Sequence, residues 1–255
     1  MSIATFSLVS GVLSFAIVQV IYSFFITPEA LSALASARAD GLVAPRNFFV
    51  VLMDFEQQIC VSLFLLGASI AVFRLLELSK HTYLFDVDLL QSIDVSKISI
   101  DSINELEAKI PIEVRASPIF RILDGVVRRY ALTKSIDAAS NAIEPALESE
   151  SIRNENELSG YRYIVWAVPS IGFLGTVRGI GQALADADMA VAGDIGPMTQ
   201  SLGVAFNSTF VALIISLVLT LVLSGIQKAQ DDSLLKTKAY VEETFIFKVS
   251  RINNG

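Results

Sequence analysis

"PSIGFLGTVRGIGQAL", Pro169–Leu184, is apolar enough to enter a membrane, yet it carries Gly172, Gly175, Gly179 and Gly181 together with a proline, a threonine and Arg178. A membrane helix that gives up so many large side chains does so to let something approach closely. Gly172, Gly175, Thr176 and Gly179 recur at helical spacing and share one face, which Ala183 extends. A second stretch has a matching stripe. Ser201, Ala205, Ser208, Thr209, Ala212, Ser216, Thr220 and Ser224 fall on one face, with Leu, Ile, Val and Phe elsewhere. Periodicity supports two readings of the paired stripes. One is close helix packing of the small-xxx-small kind, in which Ser and Thr bond back to their own helix. The other is a narrow corridor lined by hydroxyls, where a partner helix comes close and a charge on it finds donors and acceptors after losing water.

The rest of the chain has the composition of a membrane protein. Of its 255 residues 53% are hydrophobic, and the mean hydropathy of +0.59 exceeds that of a soluble domain of this length. Phe6–Ile26 is long enough to cross a bilayer. It has no basic n-region, its apolar core is too long for a signal peptide, and Ala33-Leu34-Ala35 lies well past its end. It therefore reads as a retained anchor. A second span is densest over Ile59–Phe73 and starts outside the membrane near Asn47. Asp54, Glu56, Gln57 and Gln58 interrupt it and are expected at the headgroups, where their cost is low. The third span is Tyr163–Leu184 and the fourth Leu202–Ile226.

Basic residues orient these spans. Lys80–Gly160 holds Lys80, Lys97, Lys109, Arg115, Arg121, Arg128, Arg129, Lys134 and Arg153, and the tail adds Lys228, Lys236, Lys238, Lys248 and Arg251. The linker between spans three and four has Asp186, Asp188 and Asp194 and no base, and the first linker only Arg38 and Arg46. Arg74 ends span two on the basic side. The middle segment, the tail and both termini are thus expected in the cytoplasm, with both short linkers outside. The middle segment reads helical. Ser102-Ile103-Asn104-Glu105 resembles a capping box opening a short helix that Pro111 ends. Ser117-Pro118 opens another, with an apolar face of Ile119, Ile122, Leu123, Val126 and Val127. Ile136–Leu158 is acidic and leads into span three. Leu234, Val241, Phe245, Val249 and Ile252 continue span four as an amphipathic helix. These faces either pack on one another or dock a cytoplasmic partner.

Several function classes are excluded. The net charge of −7 offers no basic field for nucleic acid. Cys60 is the one cysteine and His81 the one histidine, so neither a disulfide framework within the chain nor a Cys/His metal pattern is available. His81 reads as a solvated interfacial residue. No G-x-x-x-x-G-K loop and no nucleophile–base pair is present, and Gly172-x-x-Gly175 lies inside a span with no strand before it, so the chain is not expected to be an enzyme.

"VPSIGFLGTVRGIGQAL" and "SLGVAFNSTFVALIISLVL", with the spacing between them, give residues 161–228 a resemblance to the channel region of the MotA/TolQ/ExbB proton channel family, the channel subunits of bacterial ion-driven motors. The first motif resembles that family's P-x-x-G-x-x-G-T-v-x-G-i pattern, and the second its small-residue run reaching a Thr. The four-span layout resembles the flagellar-stator branch, whereas "GFLGTV" resembles the TolQ/ExbB branch. The resemblance implies an all-α polytopic fold with four transmembrane helices and long helices in the cytoplasm, assembled as a homopentamer in the bacterial inner membrane. It implies a dimer of a single-span ExbD/TolR/MotB-like partner whose membrane Asp takes up and releases an ion, inward flow of which turns the pentamer. Thr176 and Thr209 are then the pore-facing threonines and Pro169 a hinge coupling ion passage to the cytoplasmic helices, since it removes a backbone hydrogen bond. Asn207 and Ser208 add polar atoms to the ion pathway, and Gly172, Gly175, Gly179, Ala205 and Ala212 pack the helices.

The expected organisation is then two peripheral spans with their outer linker (1–78), a cytoplasmic helical segment (79–160), channel-forming spans three and four (161–228) and a cytoplasmic amphipathic helix (229–255). Beyond the partner and membrane lipids no cofactor is expected; the transported ion is H+, with Na+ as the alternative. Two positions depart from the family pattern. Arg178 stands where relatives often have an aromatic or aliphatic residue. It either snorkels outward or pairs with Asp186 or Asp188, or else acts as a cation at the pore entrance that sets the pKa of the partner Asp or limits leak. Val204 stands where TolQ/ExbB-like relatives carry a Glu, so the chain offers no carboxylate of its own to the channel core. The rival from another class is a tetraspan scaffold that conducts nothing.

Overall fold

A computed structural model describes residues 3–39, 47–80, 82–90 and 98–253. Arg46, His81 and Lys97 lie outside these, so their readings have no structural counterpart here. Every regular element among the described residues is helical. Four helices are long and apolar enough to cross a membrane.

The chain forms two compact units, Met1–Val72 with Ser159–Ser224, and Phe73–Leu158 with Gly225–Gly255. In the first unit α1 (Ile3–Ile21) passes through a π-helical turn (Tyr22–Ile26) into α2 (Thr27–Ala39). The wider turn adapts the helix to Pro28, with the Thr27 amide bonding back to the Tyr22 carbonyl. After α3 (Phe48–Leu52), N-capped by Asn47 through the Phe49 amide, the chain breaks at Met53-Asp54 and enters α4 (Phe55–Lys80). Val18, Tyr22 and Ile26 pack on Phe49, Leu52, Val61 and Leu65. Ser10 meets Ser69 hydroxyl to hydroxyl at 2.5 Å, and Gln58 donates to Gln19 at 2.5 Å. Polar pairs of this kind join helices in a setting where the hydrophobic effect cannot.

The second unit draws on the middle of the chain and its tail. α5 (Ile100–Lys109) starts three residues before the expected capping box, because Ser99 is the cap and Ser102 returns the bond from the third helical position. Any short hydroxyl can fill that third position. Pro111 leads the four-residue α6 (Ile112–Arg115), and Ser117 caps α7 (Pro118–Thr133) as expected. Ile119, Ile122, Leu123, Val126 and Val127 are all buried. The acidic stretch is two helices, α8 (Ile136–Ser140) and α9 (Ile143–Glu157), broken at Asn141-Ala142. The unit's core joins α7 to the tail. Val241, Phe245 and Val249 are buried among Ile122, Val126 and Ile143, with Tyr130 edge-on to Phe245 at 5.6 Å. The amphipathic faces therefore pack on one another.

Charged groups frame this core. Glu150 is buried and takes both arms of Arg121 at 2.7 and 2.6 Å. Asp124 and Glu107 each hold Arg128 at 2.7 Å, and the Asp124 hydrogen bond in particular raises that guanidinium above its ordinary value. Arg74 is buried between Glu77 and Glu157, 2.8 Å from each. The Tyr240 hydroxyl donates to the Val87 carbonyl at 2.6 Å and accepts from the Leu89 amide at 3.0 Å. Tyr240→Phe keeps the ring edge-on to Phe85 and removes both bonds. It is expected to cost about 1 kcal/mol and lower the apparent melting temperature by a few degrees in thermal unfolding followed by circular dichroism.

Candidate functional site

The small-residue stripes meet in the first unit. α10 (Ser159–Ala185) is joined by α11 (Ala187–Val191) and a turn at Gly193, φ 102°, to α12 (Gly196–Val241). Large apolar side chains of α10 and α12, among them Phe173, Leu174, Phe206 and Phe210, point outward and are exposed. Inward, the helices touch through their smallest residues. A Cβ at Gly179 would lie 2.6 Å from the Ala205 nitrogen and 2.8 Å from its Cα. One at Gly172 would fall inside the Ala212 methyl and 3.1 Å from the Ser208 carbonyl, and one at Gly175 inside the Ser208 side chain. Gly181 has nothing within 4 Å and takes no part.

The hydroxyls lie along this seam. Thr176 and Thr209 face each other, half-buried, with their Oγ1 atoms in mutual contact. Thr176 also donates to the Ala205 carbonyl at 3.2 Å, and Thr209 to the Gly172 carbonyl at 3.2 Å. Ser208 is buried and bonds back to Val204 at 2.6 Å. Asn207 is half-buried and makes no side-chain hydrogen bond among the described residues. The structure thus brings Thr176, Thr209 and Ser208 together on one seam, with Asn207 beside them in sequence.

Pro169 lies within α10 and cannot donate to the Val165 carbonyl. The Ser216 hydroxyl on α12 donates there instead, at 3.4 Å. One turn above, Cys60 of α4 points its thiol at the Val168 carbonyl, 3.7 Å away. Ser216 belongs to the hydroxyl stripe, but its role is legible only once Val165 is recognised as the carbonyl that Pro169 orphans.

Two expectations about charge need correction. Arg178 pairs with neither Asp186 nor Asp188. It grips Glu56 at the start of α4 with both arms, Nε to Oε1 at 2.7 Å and Nη2 to Oε2 at 2.8 Å, and reaches Asp54 at 3.5 Å. Asp186 instead accepts from Ser201 at 2.9 Å and Gln182 at 3.1 Å, tying the end of α10 to the start of α12. It lies eight residues beyond Arg178, about 12 Å along the helix. The second correction follows from the first. Glu56 and Gln57 are buried in protein, and Glu56 Cγ is 3.2 Å from where a Gly175 Cβ would be. The chain therefore brings its own carboxylate to the seam. It comes from α4, which the two-helix motif could not reveal.

This glycine-packed, hydroxyl-lined helix pair lies within residues 115–238, which match the family model described as the MotA/TolQ/ExbB proton channel family. Residues 115–238 belong to that family. The match begins upstream of the two membrane motifs, at Arg115, and ends within α12 at Lys238. It thus takes in much of the helical middle segment as well as the channel region. No curated protein and no solved structure matches the chain. The matched family is one of membrane channels with a stator-like role rather than of enzymes, and the four long apolar helices suit a multi-pass membrane protein.

Proposed function

We propose that the chain is the ion-channel subunit of a motor driven by a proton- or sodium-motive force. Five copies surround a dimer of a single-span, ExbD/TolR/MotB-like partner in the bacterial inner membrane, with both termini in the cytoplasm. The observation that carries this reading is the Thr176–Thr209 hydroxyl pair at the edge of a glycine-packed seam, inside the family-matched region. Half-buried hydroxyls can solvate an ion on its way to a partner carboxylate while the helices behind them stay closed. Asn207 and Ser208 add polar atoms on the same helix. Pro169, with the Val165 carbonyl it orphans taken up by the Ser216 hydroxyl, gives α10 a hinge whose hydrogen bond is made by a side chain and can be exchanged. H+ is the transported ion favoured here, since it needs only the partner carboxylate and a water path.

One observation favours a non-conducting scaffold instead. Thr176, Thr209 and Ser208 each find a backbone carbonyl within the chain, so packing alone satisfies them. Native mass spectrometry of the complex, extracted gently from its own cells, separates the two. Five copies of this chain with two of a small single-span protein are expected. The chain without such a partner would leave the fold and remove the ion-driven mechanism.

A further inference from the structure

The reading of α10 and α12 leaves Arg178 and the carboxylates that hold it unexplained. Arg178 projects from α10 with about half its side chain exposed (53%), whereas Glu56 and Asp54 are almost covered, at 9% and 12%. A guanidinium within an apolar span is costly unless it meets charge or water. A carboxylate buried as deeply as Glu56 is equally costly without its cation. The two-armed contact answers both needs, and the absent Cβ of Gly175 makes the space through which Glu56 reaches it. Thr176 lies between Gly175 and Arg178 in the sequence, so the ion pair is within one turn of the hydroxyl pair along α10. The cluster is not neutral. Two carboxylates face one guanidinium, and the linker after α10 adds Asp186, Asp188 and Asp194 with no base.

We propose that Arg178, Glu56 and Asp54 form a charge-selective collar at the outer mouth of the ion pathway, in which Glu56 cancels Arg178 and Asp54 supplies the net negative field that admits cations. The inference rests on the channel reading above. Glu56 is a positioning residue here: it carries no ion itself but keeps Arg178 from acting as a barrier. Removing its charge leaves Arg178 balanced by Asp54 alone, and the mouth loses its attraction for cations.

The test compares ion flux into liposomes holding the co-purified complex of this chain and its partner. Glu56→Gln is expected to lower flux about tenfold, the scale of one uncompensated charge acting over several ångströms. Glu56→Gln with Arg178→Gln is expected to restore it, because the barrier is then gone. Exchange of the pair, Glu56→Arg with Arg178→Glu, keeps both the contact and the total charge, and is expected to assemble and conduct even if Glu56→Gln alone does not assemble. Unchanged flux in Glu56→Gln overturns the inference. So does a double variant that assembles and stays blocked, since Glu56 would then act through its carboxylate, and so does an assembled, non-conducting exchange. Absence of flux from the unaltered complex overturns the channel reading itself, and the collar with it.

Discussion

Gly179→Val is expected to leave little or no assembled protein in the membrane. The nearest atoms to a new Cβ there are the nitrogen and Cα of Ala205, at 2.6 and 2.8 Å, and the backbone cannot turn aside as a side chain can. Relief comes only by parting α10 from α12. That loses the contacts at Gly172 and Gly175 and pulls Thr176 from Thr209. Overpacking at one site commonly costs about 1–3 kcal/mol, and a seam of backbone contacts has no slack to lower that figure. Gly181→Ala, two residues away with nothing within 4 Å, is the matched control and is expected to behave as the unaltered protein. Thermal stability of the detergent-extracted protein, read by size-exclusion chromatography, compares them. Equal stability would mean that the helices do not meet as described.

Thr209→Val is expected to leave assembly intact and lower ion flux about tenfold or more. Valine fills the same volume without the hydroxyl. Thr176 keeps its bond to the Ala205 carbonyl, so the seam does not open. What disappears is one oxygen at the edge of the proposed path. A hydrogen bond to a charged species is worth roughly 1.5–3 kcal/mol, which in a rate is about tenfold to a hundredfold or more. Thr209→Ser returns the oxygen and is expected to restore most of the flux. Normal flux through an intact Thr209→Val complex would remove Thr209 from the path.

Much of the fold was legible in the sequence, because its strongest signals are local. Apolar runs of bilayer length predicted four spans, and spacing placed Gly172, Gly175 and Gly179 on one face. Ser117-Pro118 marked the start of α7 to the residue. The ends of helices were harder to read. The first helical run continues past Ile26 into α2 because a π-helical turn accommodates Pro28, and α5 begins at Ile100 because Ser99 outcompetes Ser102 as cap. The partner of Arg178 could not be read from nearby residues. Glu56 is far away in sequence, at the start of a different helix. Only the meeting of α4 with α10 reveals that Glu56 is buried against protein. The partner of the Val165 carbonyl is of the same kind, since a proline predicts an orphaned acceptor but not which helix supplies the donor.

The most direct test of the central claim is ion flux in liposomes reconstituted with the co-purified complex, under an imposed H+ gradient and, separately, a Na+ gradient. The account predicts inward flux that stops when the membrane Asp of the single-span partner is changed to Asn and falls sharply with Thr209→Val. A complex that assembles with its partner yet passes neither ion would contradict it, and the hydroxyl seam would then serve helix packing alone.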